Sequence, residues 1–174
     1  MSARLSARKS ASPVRPLLLA AVLLSSAALA DRPSFKLEGS ELVLPSPVVF
    51  ASGTAELKSE SDAALEHVQA YLTDKSYIST MRIEAHVAGS KDDQGLSEQR
   101  ALSVARWLVA HGVDCKRVLP VAFGNTKPAG DASTPEGRAM NTRVVFANAA
   151  LRGRPIGGMP LDGGGKVAGD ACEK

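Results

Sequence analysis

The sequence predicts an α+β domain of two layers, built in the order β-α-β-α-β-(α)-β and bounded at about residues 41–150. Three observations predict it. Segments 58–75 and 96–108 carry apolar residues at helical spacing. Between them, 80–87 alternates apolar and polar residues with the period of a strand. Two further apolar runs, 118–123 and 142–147, are short and β-branched enough to be strands that close the pattern.

Residues 1–30 precede this domain and read as a secretory signal. Arg4, Arg8, Lys9 and Arg15 lead into the apolar run 16–24, which ends in Ser25-Ser26-Ala27-Ala28-Leu29-Ala30. Cleavage is expected after Ala30. The competing reading is a retained anchor, but a bilayer-spanning helix needs about 20 apolar residues and this run is shorter. The mature chain is therefore expected to hold no transmembrane segment. The signal contains four of the 21 Lys and Arg and none of the 18 Asp and Glu, which leaves 17 basic against 18 acidic residues. With that near-neutral balance, and no basic cluster with interleaved aromatics, nucleic acid is excluded as a partner.

Residues 31–40 are polar, without clear period, and read as a linker. Glu41–Leu44 and Val48–Phe50 are two short apolar runs broken by Pro45 and Pro47; the second reads as an edge strand, since proline cannot donate to a ladder. In 58–75 the stripe is Ala64, Leu65, Val68, Tyr71 and Leu72, and Ser59 followed by Asp62 resembles a capping box. In the strand 80–87, Met81, Ile83, Ala85 and Val87 share one face and Glu84 and His86 the other, so it is expected to be half-buried. The second helix buries Leu96, Ala101, Val104, Ala105 and Leu108, and Gly112 stands where a left-handed cap belongs. Pro120 makes 118–123 an edge strand or a bulged one. Residues 135–140 suit a helical turn before the last strand.

Beyond Ala150 the chain turns glycine-rich, with few large apolar side chains, and segment 151–174 cannot build a core of its own. It is either flexible or laid over the domain. Cys115 and Cys172 are the only cysteines. In an exported chain they form one intramolecular disulfide, or else remain two thiols or bridge two molecules. Gly163-Gly164-Gly165-Lys166 is not a phosphate loop, because Pro160 and Val167 occupy the positions that need Gly and Ser or Thr.

No metal or catalytic pattern emerges. His67, His86 and His111 lie on separate elements without His-x-x-x-His or Cys-x-x-Cys spacing, and no serine sits in Gly-x-Ser-x-Gly. The expectation is a non-enzyme with no cofactor and no metal.

Specific motifs lie between His86 and Val144. They are Ala85-His86-Val87-Ala88, then Asp93-Gln94-Gly95-Leu96-Ser97-Glu98-Gln99-Arg100-Ala101, then Gly124-Asn125-Thr126-Lys127-Pro128, and last Gly137-Arg138-Ala139-Met140-Asn141-Thr142-Arg143-Val144. With Val49-Phe50-Ala51-Ser52-Gly53-Thr54 upstream, this series resembles the OmpA-like domain of porin-linked domains, peptidoglycan-associated lipoproteins and flagellar motor stators. The resemblance implies a mixed four-stranded sheet with the helices on one face. It also implies a periplasmic protein at the cell wall or outer membrane, whose ligand is the peptide stem of peptidoglycan. In the family an Asp at the end of the second strand holds the diaminopimelate amine and a helix Arg holds its carboxylate. Arg100 matches that Arg, and a guanidinium fork suits a carboxylate through two parallel hydrogen bonds.

The family's Thr-Asp falls here at Val87-Ala88, and Ala88 cannot bind an amine. Two readings follow for Asp92 and Asp93: one of them supplies the anion from the helix end, or Asp93 simply caps the helix. His86 keeps its family position and either lines the cleft or sits on the sheet. Ser97, Asn141 and Arg143 match the motifs as supporting residues. The alternative function is an OmpA-like fold that has lost its ligand and serves as an interaction module for envelope or outer-membrane proteins, through its tail or an exposed strand edge.

Overall fold

The computed structural model describes residues 34–173; the expected signal and its cleavage point lie outside the described residues. The chain starts with a hairpin, β1 (Leu37–Glu38) and β2 (Glu41–Leu42), turned by Gly39 at φ 61°. Then come α1 (Asp62–Asp74), β3 (Ile78–His86), α2 (Asp93–Ala110), β4 (Val118–Gly124), α3 (Pro135–Asn141) and β5 (Arg143–Leu151). Two short strands follow in the glycine-rich segment, β6 (Arg154–Pro155) and β7 (Lys166–Val167). The sheet order is β1-β2-β5-β3-β4-β7, with β6 beside β5. Because β3 runs parallel to β4 and antiparallel to β5, the sheet is mixed. Its central four strands, β2-β5-β3-β4, are the sheet expected from the resemblance, lengthened by β1, β6 and β7. The segment read as a linker thus contributes β1.

The helical stripes face the sheet as their spacing requires. Leu65, Val68 and Leu72 of α1 and Val104 and Leu108 of α2 join Met81, Ile83 and Phe146 in one buried cluster, so both helices pack on one face. Tyr71 is buried with them, and its hydroxyl accepts a hydrogen bond from Asn148 Nδ2 at 2.8 Å. Gly112, at φ 92°, ends α2 in the left-handed conformation that only glycine adopts freely. At the end of α1, Arg117 donates to the carbonyls of Leu72, Lys75 and Ile78, supplying donors and positive charge where a helix presents unpaired carbonyls.

Three expectations are corrected. Val48–Phe50 is not a sheet strand. Ser61 takes its backbone instead: Val49 N–H donates to Ser61 Oγ at 2.8 Å, and that hydroxyl donates back to Val49 O at 2.8 Å. This also removes the expected capping box. Ser59 lies in a 3₁₀ turn, α1 begins at Asp62, and Ser61 at its N-cap has no hydroxyl left for the helix. Finally, β3 is buried on both faces, with Arg82, Glu84 and His86 almost inaccessible, because residues 161–167 lie across the side that the helices leave open.

That covering is specific. Leu161 O accepts from Arg82 Nη1 at 3.0 Å and Gly163 O from Lys127 Nζ at 3.2 Å. Gly163 and Gly165 lie so close to Arg82, Val121 and Phe123 that a Cβ at either position would overlap them. β7 then pairs with β4, and Ala168 N–H donates to Pro120 O at 3.0 Å. A strand residue's N–H and C=O point to the same side, so the donor that Pro120 lacks falls on this outer side, where its loss disrupts no central pairing. The structure joins Cys115 to Cys172, which fixes the segment's far end to the domain.

The Gly137-Arg138 pair has a packing reason. A Cβ on Gly137 would overlap the backbone of Asp131, and Arg138 Nη1 donates to the carbonyls of Ala132 and Ser133, each at 3.0 Å. Gly137→Ala is predicted to destabilise by about 1–3 kcal/mol, the usual cost of overpacking. An unchanged urea midpoint would show that the loop has room to yield.

Candidate functional site

Arg100 comes from the first half of α2 and is 7% exposed. Its Nε donates to Thr54 O at 2.8 Å, and its guanidinium carbon lies 4.7 Å from the centre of the Phe50 ring. The 50–57 segment thus holds the fork in place from one side, and no acidic side chain pairs with it among the described residues. Burial pushes the guanidinium pKa down, but arginine remains charged at any physiological pH.

Arg100 lines a cavity of about 180 Å³ together with Val48, Val49, Phe50, His86, Thr142 and Arg143. The polar part of this lining comes from the ends of β3 and β5 and from α2, and the apolar part from the segment that Ser61 holds out of the sheet. Arg143 Nη2 donates to Lys127 O at 3.3 Å, whereas its Nη1 is buried with no hydrogen-bond partner among the described residues. His86 stacks on Phe123 with ring centres 5.1 Å apart and planes 9° from parallel. It is 1% exposed, and neither ring nitrogen is hydrogen-bonded. The nearest acid is Glu84, whose Oε2 lies 3.6 Å from Nε2, too far for a hydrogen bond.

Glu84 belongs to a buried pair with Arg82, which donates Nε to Glu84 Oε1 at 2.6 Å. Burial would raise the carboxyl pKa. The approach of His86, the hydrogen bond and charge of Arg82, and the charge of Lys127 outweigh it and hold the pKa below its ordinary value.

The structure brings Arg100, His86 and Arg143 together and leaves both candidate carboxylates outside. Asp92, not Asp93, caps α2, its Oδ1 accepting from Gly95 N–H at 2.8 Å. Asp93 instead accepts from the N–H groups of Gly89 and Ser90 and from Asn125 Nδ2. Burial alone would raise its pKa, but these bonds hold it below the ordinary value. Of the two readings for these residues, capping of α2 falls to Asp92 rather than Asp93, and neither Asp is in the lining of the Arg100 cavity, each accepting from backbone donors between Gly89 and Gly95.

Ser97 and Asn141 support the site from behind. Ser97 Oγ donates to Gln94 O and accepts from Gly124 N–H, tying the start of α2 to the end of β4. Asn141 Oδ1 accepts from the N–H groups of Ala129 and Gly130, and its Nδ2 donates to Gly130 O, which shapes the loop below Arg143. The sequence reading missed Thr54 and Thr142, and it ranked Arg143 behind the cavity rather than in its wall. Phe50 stood in a matching motif but carried no hint that it would lie against Arg100.

Comparison with known proteins agrees with the fold and the motifs. The sequence model of the OmpA family matches residues 49–142. "Probable lipoprotein YiaD" of Escherichia coli (strain K12) is 34% identical over 112 residues, which are 63% of this chain and 51% of YiaD. The peptidoglycan-binding protein ArfA of Mycobacterium tuberculosis (strain H37Rv) is 49% identical over 49 residues, 28% of this chain and 15% of ArfA. The chain thus spans about half of YiaD and a small part of ArfA. A crystal structure of a MotB-like protein from Desulfovibrio vulgaris superposes with a TM-score of 0.56 at 23% identity, covering 65% of this chain and 78% of that one.

Proposed function

The chain belongs to the OmpA family, and on that premise we propose that it is a non-catalytic protein of the cell envelope, periplasmic in the cell, that binds peptidoglycan noncovalently through a carboxylate of the peptide stem. The observation that carries this reading is Arg100: a buried guanidinium fixed through Nε, held against Phe50, facing a cavity and paired with no acid among the described residues. A permanently charged group in that state is costly unless something anionic meets it. The name of ArfA supports peptidoglycan as the source of that anion.

Co-sedimentation with purified sacculi tests the reading. The wild-type protein is expected in the pellet. Arg100→Ala removes a charge-assisted anchor worth on the order of 1.5–3 kcal/mol, so its apparent affinity should fall roughly ten- to a hundredfold. Wild type left in the supernatant defeats wall binding, and an Arg100→Ala protein that pellets equally well places the contact elsewhere. The rival reading, an interaction module that has lost its ligand, draws on the lack of a carboxylate in the cavity wall among the described residues. A discrete protein partner recovered by crosslinking, with no muropeptide, would favour it.

A further inference from the structure

The charges around the Arg100 cavity bear on what accompanies the bound carboxylate. Two guanidinium groups, Arg100 and Arg143, line it, with the imidazole of His86 and the hydroxyl of Thr142. No carboxylate among the described residues does. Ala88 is bonded to one lining residue, its N–H donating to Thr142 Oγ1 at 3.3 Å. Three acids on the adjoining elements are engaged elsewhere: Asp92 with Gly95, Asp93 with Gly89, Ser90 and Asn125, and Glu84 with Arg82.

A free amino-acid end is a zwitterion. Its ammonium would lose water on entering this cavity and meet fixed positive charge with no anion to offset it. A carboxylate gains from the same surroundings. Arg143 Nη1 is buried without a hydrogen-bond partner among the described residues, and a donor in that state favours a ligand rich in acceptors.

We infer that the cavity takes an amino-acid carboxylate whose neighbouring nitrogen is acylated, and discriminates against the free zwitterion. In peptidoglycan that chemistry is met at the distal centre of the diamino acid once its amine is joined through an amide, as well as at the other stem carboxylates, whose neighbouring nitrogens are always acylated. The inference rests on the wall-binding reading and specifies which form of the stem the site selects. An amide nitrogen carries no charge to desolvate, and its carbonyl adds an acceptor within reach of the cavity's donors.

The test titrates the protein with two synthetic stem peptides ending in diaminopimelate, their other carboxyl groups amidated so that only the distal carboxylate is free, identical except that the distal amine is free in one and acetylated in the other. The acetylated peptide is expected to bind at least tenfold more tightly. Ala88→Asp, which introduces a carboxylate next to Thr142 of the lining, should reduce or reverse that preference by rescuing the free-amine peptide. A wild-type protein that prefers the free amine, or treats both peptides alike, overturns the inference even if Ala88→Asp fails to fold. Binding of neither peptide overturns it as well. Sacculus sedimentation then separates the two readings, since wild type in the pellet leaves wall binding standing while this selectivity falls.

Discussion

Replacing Cys115 and Cys172 together by serine is expected to lower the unfolding free energy by about 4 kcal/mol, the chain-entropy value for a closed loop of this size. The two cysteines are 57 residues apart, so the bond encloses β4, α3 and β5 and restricts much of the unfolded chain. Equilibrium urea unfolding measures the loss. Amide exchange locates it, because Ala168 N–H, bonded to Pro120 O, should exchange far faster in the variant while the centre of β3 slows or quickens only with global stability. A loss below about 1 kcal/mol would mean that the unfolded chain keeps residual structure that already restricts this loop.

Glu84→Leu is expected to cost about 3–5 kcal/mol at neutral pH, because it leaves the Arg82 guanidinium buried with its main counter-charge removed. Arg82 is 8% exposed and Glu84 6%, so water cannot replace the lost partner. Arg82→Met combined with Glu84→Leu should recover most of that loss, since an apolar pair of similar volume escapes the desolvation of both charges. The pH dependence has a definite sign. Glu84's folded pKa is held below its ordinary value, so its contribution is complete above about pH 4.3, the usual glutamate value, and fades as pH falls through the folded one. Acid titration of wild type should therefore show a loss of stability that the Glu84→Leu protein lacks in part. Equal slopes in the two proteins would exclude Glu84 as a source of acid sensitivity.

How far the sequence could be read depended on whether an interaction was local. Leu65, Val68 and Leu72, or Val104 and Leu108, announce their burial through spacing alone, since a helix face is set by neighbouring turns. Val48–Phe50 has equally strand-like composition. Its fate was decided by Ser61, 12 residues beyond Val49, whose hydroxyl took the strand's hydrogen bonds. Glu84 and His86 read as the open face of a half-buried strand because nothing in β3 signals that the segment from Leu161 will cover it.

The candidate site divides in the same way. Arg100 was legible because it lies inside a dense motif of neighbours along one helix. Its partner Thr54 is 46 residues away and offers only a carbonyl oxygen, which every residue possesses. Arg143 was legible as a motif residue but not as part of the wall, since that depends on how α3 delivers β5. Asp92 and Asp93 are adjacent and chemically alike, so which of them caps α2 was settled by loop geometry. The helix takes Asp92, and Asp93 turns back to Gly89 and Ser90.

The pairing of β7 with β4 has a further consequence for association. A bare outer strand is an open template on which a second chain, whether an identical copy or a foreign peptide, can add itself by backbone hydrogen bonds. Here Val167 and Lys166 already occupy Val121 and Ala122, the place such a chain would take. The protein thus carries its own occluding strand, and a partner seeking this side of the sheet must first compete with a segment tethered through Cys172.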